Sequence, residues 1–95
     1  MIGLYIRQLR EEKGYLLRQM AAILDVDPTI LSKMEREERT FKREHIVKIS
    51  EVCQVREEEL ITKWLADKIS YIVEDEKCAV DALNLVKEQK ENEKE

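Results

Sequence analysis

Two glycines and one proline in 95 residues leave this chain few places where a helix is forced to stop. Between those breaks apolar residues recur every three or four positions, as in Ile2, Ile6 and Leu9, then Leu17, Met20, Ala21 and Leu24. That period places each set on one face of an α-helix. A sheet would need β-branched and aromatic runs bounded by turn residues, and these are missing. Charged residues make up 40% of the chain and aromatics 5%, with Glu, Lys, Leu and Arg abundant, a composition of helices joined by short turns. The expected fold class is all-α.

The punctuation divides the chain further. The first helix runs from Ile2 to a basic last turn and stops at Lys13-Gly14. A short second helix ends at Asp25-Val26. Asp27 followed by Pro28 marks a helix start, a carboxylate cap and then proline at the first helical position. The third helix turns Ile30, Leu31 and Met34 inward and ends near Glu35-Arg36. Residues 36–43 form a charged loop. A fourth helix carries Ile46, Val47, Ile49, Val52 and Cys53, and a fifth opens on Glu57-Glu58-Glu59, where negative charge suits the helix N-terminus. Its apolar stripe is Leu60, Ile61, Trp64, Leu65, Ile69, Ile72 and Val73. A polar break at Glu74-Asp75-Glu76 precedes a sixth helix with Ala79, Val80, Leu83 and Val86. Residues 89–95 contain only Lys, Glu, Gln and Asn and are expected to be a disordered tail.

Leu17 to Glu35 is the informative stretch, two short helices joined by a turn. Ala21 falls where two helices must cross closely. Met20, Leu24, Val26, Leu31 and Met34 supply a small core beneath the crossing, while Pro28, Thr29, Ser32, Lys33 and Arg36 leave the third helix on one outward side. Short and basic residues there suit a helix that enters the DNA major groove. Together with Ile6, Leu9-Arg10, Lys13-Gly14, Met20-Ala21, Leu31-Ser32-Lys33-Met34-Glu35-Arg36, Arg39, Ile46, Ile49, Val55 and Leu60, the segment resembles the helix-turn-helix of the phage repressor and Cro family, the XRE family, over roughly residues 2–60.

The resemblance implies a five-helix DNA-binding domain over residues 1–60 whose recognition helix begins at Pro28. Pro28, Thr29, Ser32 and Lys33 would then face base edges, Lys33 contacting either guanine O6/N7 or phosphate. Arg18, Arg36, Arg39, Lys42 and Arg43 would contact the DNA backbone, adding affinity and salt dependence without reading sequence. Arg10 and Glu35 match a family ion pair tying helix one to the recognition helix. The chain departs from the family pattern in three places. Leu16-Leu17 replaces a hydroxyl residue and Gln at the start of helix two. Asp25 takes the position of the turn glycine, and Glu37 that of the glycine after helix three.

The apolar residues of 61–88 form two further helical stripes, expected to make a C-terminal hairpin. Trp64, Leu65, Ile69, Ile72, Leu83 and Val86 would be exposed unless the hairpin folds back on its own domain or meets a second copy. The two-fold dimer is preferred because it matches a palindromic operator. Residues 61–95 carry a net charge of −3 against −1 for the first 60, which places this appendage away from DNA. Cys53 and Cys78 are expected to be buried free thiols. His45, the only histidine, is expected to face solvent or pack, with no cluster around it to bind metal. There is no nucleophile triad, phosphate loop or cofactor motif, and enzymatic activity is not expected. The N-terminus leads straight into an amphipathic helix with no leader pattern, and no apolar run approaches a membrane span, so a cytoplasmic protein without membrane contact is expected. The reading is a dimeric, sequence-specific repressor on double-stranded DNA. Its alternatives are an antitoxin with a protein partner on the C-terminal helices, and an interaction module that has lost DNA binding.

Overall fold

The computed structural model describes residues 1–94. It contains six helices and no strand among those residues: α1 (Ile2–Glu12), α2 (Leu17–Leu24), α3 (Pro28–Glu35), α4 (Arg43–Cys53), α5 (Glu57–Ile72) and α6 (Ala79–Glu93). No helix of the described residues is long and apolar enough to cross a membrane.

Each of the first four helices ends against a residue with left-handed backbone. Gly14 has φ 81° after α1, Asp25 56° after α2, Glu37 67° after α3 and Gln54 57° after α4. At each, the next residue or the residue itself folds back onto an earlier carbonyl: Tyr15 N–H to Arg10 O, Val26 N–H to Ala21 O, Glu38 N–H to Lys33 O, Val55 N–H to Ser50 O. This is the reverse turn that satisfies the last carbonyls of a helix. Only one of the four is glycine, so three side chains occupy a conformation that L-residues adopt at a cost. The starts are fixed separately. Asp27 Oδ1 accepts from Thr29 N–H at 2.8 Å, with Pro28 opening α3. Gln19 Oε1 accepts from Leu16 N–H at 2.8 Å before α2.

The core lies between α1, α2, α3, α4 and the first two turns of α5. Ile6, Met20, Leu31, Ile46, Ile49, Cys53 and Leu60 are its fully buried side chains, and Ala21 at 1% exposure sits at the α2–α3 crossing. Trp64, expected at an interface between copies, instead belongs to this core. It is 8% exposed, and its indole Nε1–H donates to the Phe41 carbonyl at 3.0 Å. The reason is the length of α5, which passes residue 60 without a break and lays Leu60 and Trp64, one helical turn apart, on the body of the protein.

Beyond Trp64 the chain leaves the core. Leu65, Ile69 and Ile72 are exposed, as are Val80, Leu83, Leu85 and Val86 on α6. No residue of α6 is buried, and α6 forms no extended packed face with α5, so the expected hairpin does not close within one chain. The helix continues to Glu93 through residues expected to be disordered. Glu, Lys and Gln are strong helix formers, and Lys90 pairs with Glu93 at 3.3 Å, one turn on. Glu95 lies outside the described residues. Cys53 is buried, but Cys78 is exposed, as are its neighbours Glu74 to Lys77 in the α5–α6 connection.

Candidate nucleic-acid interface

α3 is tied to α1 by an ion pair and by hydrogen bonds. At its C-terminal end the Arg10 guanidinium grips Glu35 with two bonds, Nε to Oε2 at 2.8 Å and Nη2 to Oε1 at 3.1 Å, while Nη1 donates to Tyr15 O at 2.9 Å. Both residues are buried, so the pair is shielded from water and its forked geometry leaves the carboxylate satisfied. The Glu35 hydrogen bond raises the Arg10 pKa above its ordinary value despite burial.

The next acid, Glu37, is likewise turned into the fold. Its Oε1 accepts from Gly3 N–H at 2.7 Å and from Leu4 N–H at 3.3 Å, placing a carboxylate on the N-terminus of α1. α1 and the end of α3 approach so closely that a Cβ on Gly3 would lie 2.6 Å from Met34 O and 2.7 Å from Glu35 O. The third acid of the stretch, Glu38, pairs with Arg36 Nη1 at 3.1 Å.

These contacts decide the local electrostatics. Residues 28–43 hold three acids, and each has a partner, whereas Lys33, Arg39, Lys42 and Arg43 make no ion pair among the described residues. Pro28 and Thr29 are exposed and Ser32 and Lys33 half-buried on the outward side of α3. Arg36 is exposed but already engaged, by Glu38 and by a 3.3 Å bond from Nε to Ser32 O. Arg18 is exposed on α2. Arg39, Lys42 and Arg43 line an open groove of about 950 Å³ beside α3, which they share with Ile30, Met34 and Lys48 and with the acids Asp25, Glu44 and Glu51. The chain's net charge of −4 therefore coexists with one cationic strip next to the exposed residues of α3.

The loop carrying this strip is not free. Phe41, 2% exposed in a run of charged residues, anchors it in the core. Its carbonyl meets the Trp64 indole, and the following amide, Lys42 N–H, donates to His45 Nδ1 at 3.0 Å. His45 thus caps α4, a role the charged helix start concealed. Burial lowers its pKa, with Lys42 adding to the effect and Glu44 opposing it. Bonding at Nδ1 requires the imidazole to be unprotonated there. The Arg43 guanidinium lies 5.2 Å from the centroid of the Trp64 ring and Lys68 Nζ 4.5 Å from it. The sequence signal for Phe41 is the lone aromatic in residues 36–43; nothing local marks its partner.

Comparison with known protein families matches a helix-turn-helix family model over residues 6–60, from the middle of α1 to the first turn of α5. No curated protein and no solved structure matches the chain. The matched span covers α2 and α3 with their left-handed turn at Asp25, the Arg10–Glu35 pair and the cationic loop. Over most of its length, then, the chain belongs to the helix-turn-helix family of DNA-binding regulators of the phage repressor and Cro type.

Proposed function

We propose that this DNA-binding transcription regulator is a sequence-specific repressor that works as a homodimer. The observation that carries the reading is the disposition of charge around α3. All three acids of residues 28–43 have partners within the chain, while Arg39, Lys42 and Arg43 are exposed and Lys33 half-buried, none of the four in an ion pair among the described residues. In this reading α3 enters the major groove. Thr29 and Ser32 offer short hydroxyls to base edges, Pro28 lets the backbone come close, and Lys33 reaches a guanine O6/N7 edge. Arg18, Arg39, Lys42 and Arg43 hold phosphates on either side. Arg36 contributes less, because Glu38 already neutralises it.

The homodimer rests on the exposed apolar residues past Trp64. Leu65, Ile69 and Ile72 on α5 and Leu83 and Val86 on α6 are exposed among the described residues. A second copy would cover them and present two recognition helices to a palindrome. Repression needs only occupancy of the operator, and no catalytic or cofactor role is assigned to any residue.

Selection of bound duplexes from a random pool tests this directly. An enriched, two-fold symmetric site is expected; recovery of no preferred sequence would overturn the sequence-specific reading. On the selected site Lys33→Ala is expected to cost ~1–3 kcal/mol and relax one base position in each half. Equal loss on random DNA would move Lys33 to the phosphates.

A further inference from the structure

The peptide unit between Phe41 and Lys42 is held at both of its polar ends by side chains from two different helices. Its carbonyl oxygen accepts from the Trp64 indole on α5 at 3.0 Å, and its N–H donates to His45 Nδ1 on α4 at 3.0 Å. A peptide plane so fixed has one orientation. The two residues that leave it next, Lys42 and Arg43, are both exposed cations of the strip beside α3. Arg43 is restrained a second time, since its guanidinium sits 5.2 Å from the Trp64 ring centroid.

We propose that Trp64 is a positioning residue for DNA binding: its N–H orients the 41–42 peptide and its ring holds Arg43, so that Lys42 and Arg43 are placed for phosphate contact before DNA arrives. This inference rests on the DNA-binding reading above. Phenylalanine at this position would keep an aromatic ring, though a smaller one. What phenylalanine lacks is the donor, and that donor has a single partner, the Phe41 carbonyl. Without the fixed peptide and the ring beside it, Arg43 would point away from the phosphate it meets, and that contact and its released counterion would be lost together. Lys68, 4.5 Å from the same ring, lies on α5 itself and adds a further cation to the neighbourhood of Arg43. The last buried residue of α5 is thereby joined to the DNA-facing loop, and the exposed Leu65 follows it directly on the helix.

The test is the salt dependence of duplex binding by Trp64→Phe in the full chain. For a folded variant the slope of log K against log salt is expected to fall by about one unit, and affinity near 0.1 M salt about tenfold, as for loss of one phosphate contact. Adding Arg43→Ala to Trp64→Phe is expected to lower the slope by less than Arg43→Ala does in the wild type. A purely structural role for Trp64 would reduce the folded fraction and shift affinity equally at every salt concentration, leaving the slope intact; a folded Trp64→Phe with the wild-type slope overturns the inference. If that variant does not fold, the wild type carries the test. Trp64 is the only tryptophan, so its emission reports on this contact. Saturating duplex is expected to change that emission in the wild type and not in Arg43→Ala, and an identical response in both overturns the inference. A wild type that binds no duplex at low salt removes the DNA-binding reading as well, whereas wild-type binding with an unaltered Trp64→Phe slope removes only this one.

Discussion

Gly3 shows how much one hydrogen atom in place of a methyl group can decide. α1 would gain helix propensity from alanine there, by up to ~1 kcal/mol. The added Cβ would, however, stand 2.6 Å from both Met34 O and Glu37 Oε1 and 2.7 Å from Glu35 O. Glu37 could swing away, but the two backbone carbonyls belong to the end of α3, which Arg10 clamps through Glu35. Gly3→Ala is expected to destabilise the protein by ~1–3 kcal/mol, the usual cost of overpacking, read as a lower urea midpoint at unchanged m-value. A midpoint at or above the wild type would mean that α1 and α3 are not held this closely. Glu37 was legible only as an acid in a basic loop and a departure from glycine. Its role as a cap on α1 joins residues more than thirty positions apart, which no local pattern encodes.

At the scale of elements, the stop of α1 and the start of α3 were readable because each rests on local chemistry. Asp27-Pro28 opens α3 and Lys13-Gly14 closes α1 within a few residues of sequence. The Ala21 crossing and the outward placement of Pro28, Thr29, Ser32 and Lys33 follow from helical period alone. The cap of α4 was not readable, since His45 at the third helical position has the same local appearance as an exposed residue. Its bond from Lys42 N–H needs a neutral Nδ1, and burial lowers its pKa. The folded protein thus holds fewer protons on His45 than the unfolded chain does. Stability is accordingly full above the ordinary imidazole value of about 6.5 and is lost as pH falls through the lower folded value. Glutamine at this position keeps an acceptor and does not titrate. His45→Gln is expected to flatten the fall in melting temperature between neutral pH and about pH 5. Wild type and variant falling in parallel would show that His45 contributes nothing to it. The Trp64–Phe41 contact was unreadable for a different reason. The heptad-like spacing of α5 shows that Trp64 lies on an apolar stripe, but not whether the stripe meets its own domain or another copy.

On the scale of the whole molecule, two regions follow different rules. α1 to the second turn of α5 enclose one core, and the remainder of α5 with α6 offers apolar side chains to solvent. Trp64 is therefore unsuited to testing assembly, because removing it would damage the core. Ile72, 74% exposed, and Leu83, 40% exposed, are suited to it. Ile72→Asp or Leu83→Asp is expected to give a folded monomer at micromolar concentration by sedimentation equilibrium, with operator affinity much reduced as the two half-sites lose their linkage. A wild type that is itself monomeric at high concentration would contradict the dimer and leave α6 to a different protein partner. DNA binding does not depend on that outcome, because the cationic strip and α3 lie within a single chain. The most direct measurement is fluorescence anisotropy of a labelled duplex titrated with the wild-type protein over a series of salt concentrations. The account predicts binding that weakens linearly in log K against log salt, with Arg39→Ala and Arg43→Ala each lowering the slope by about one unit. Absence of binding at low salt and micromolar protein, or a slope that neither substitution changes, would contradict it.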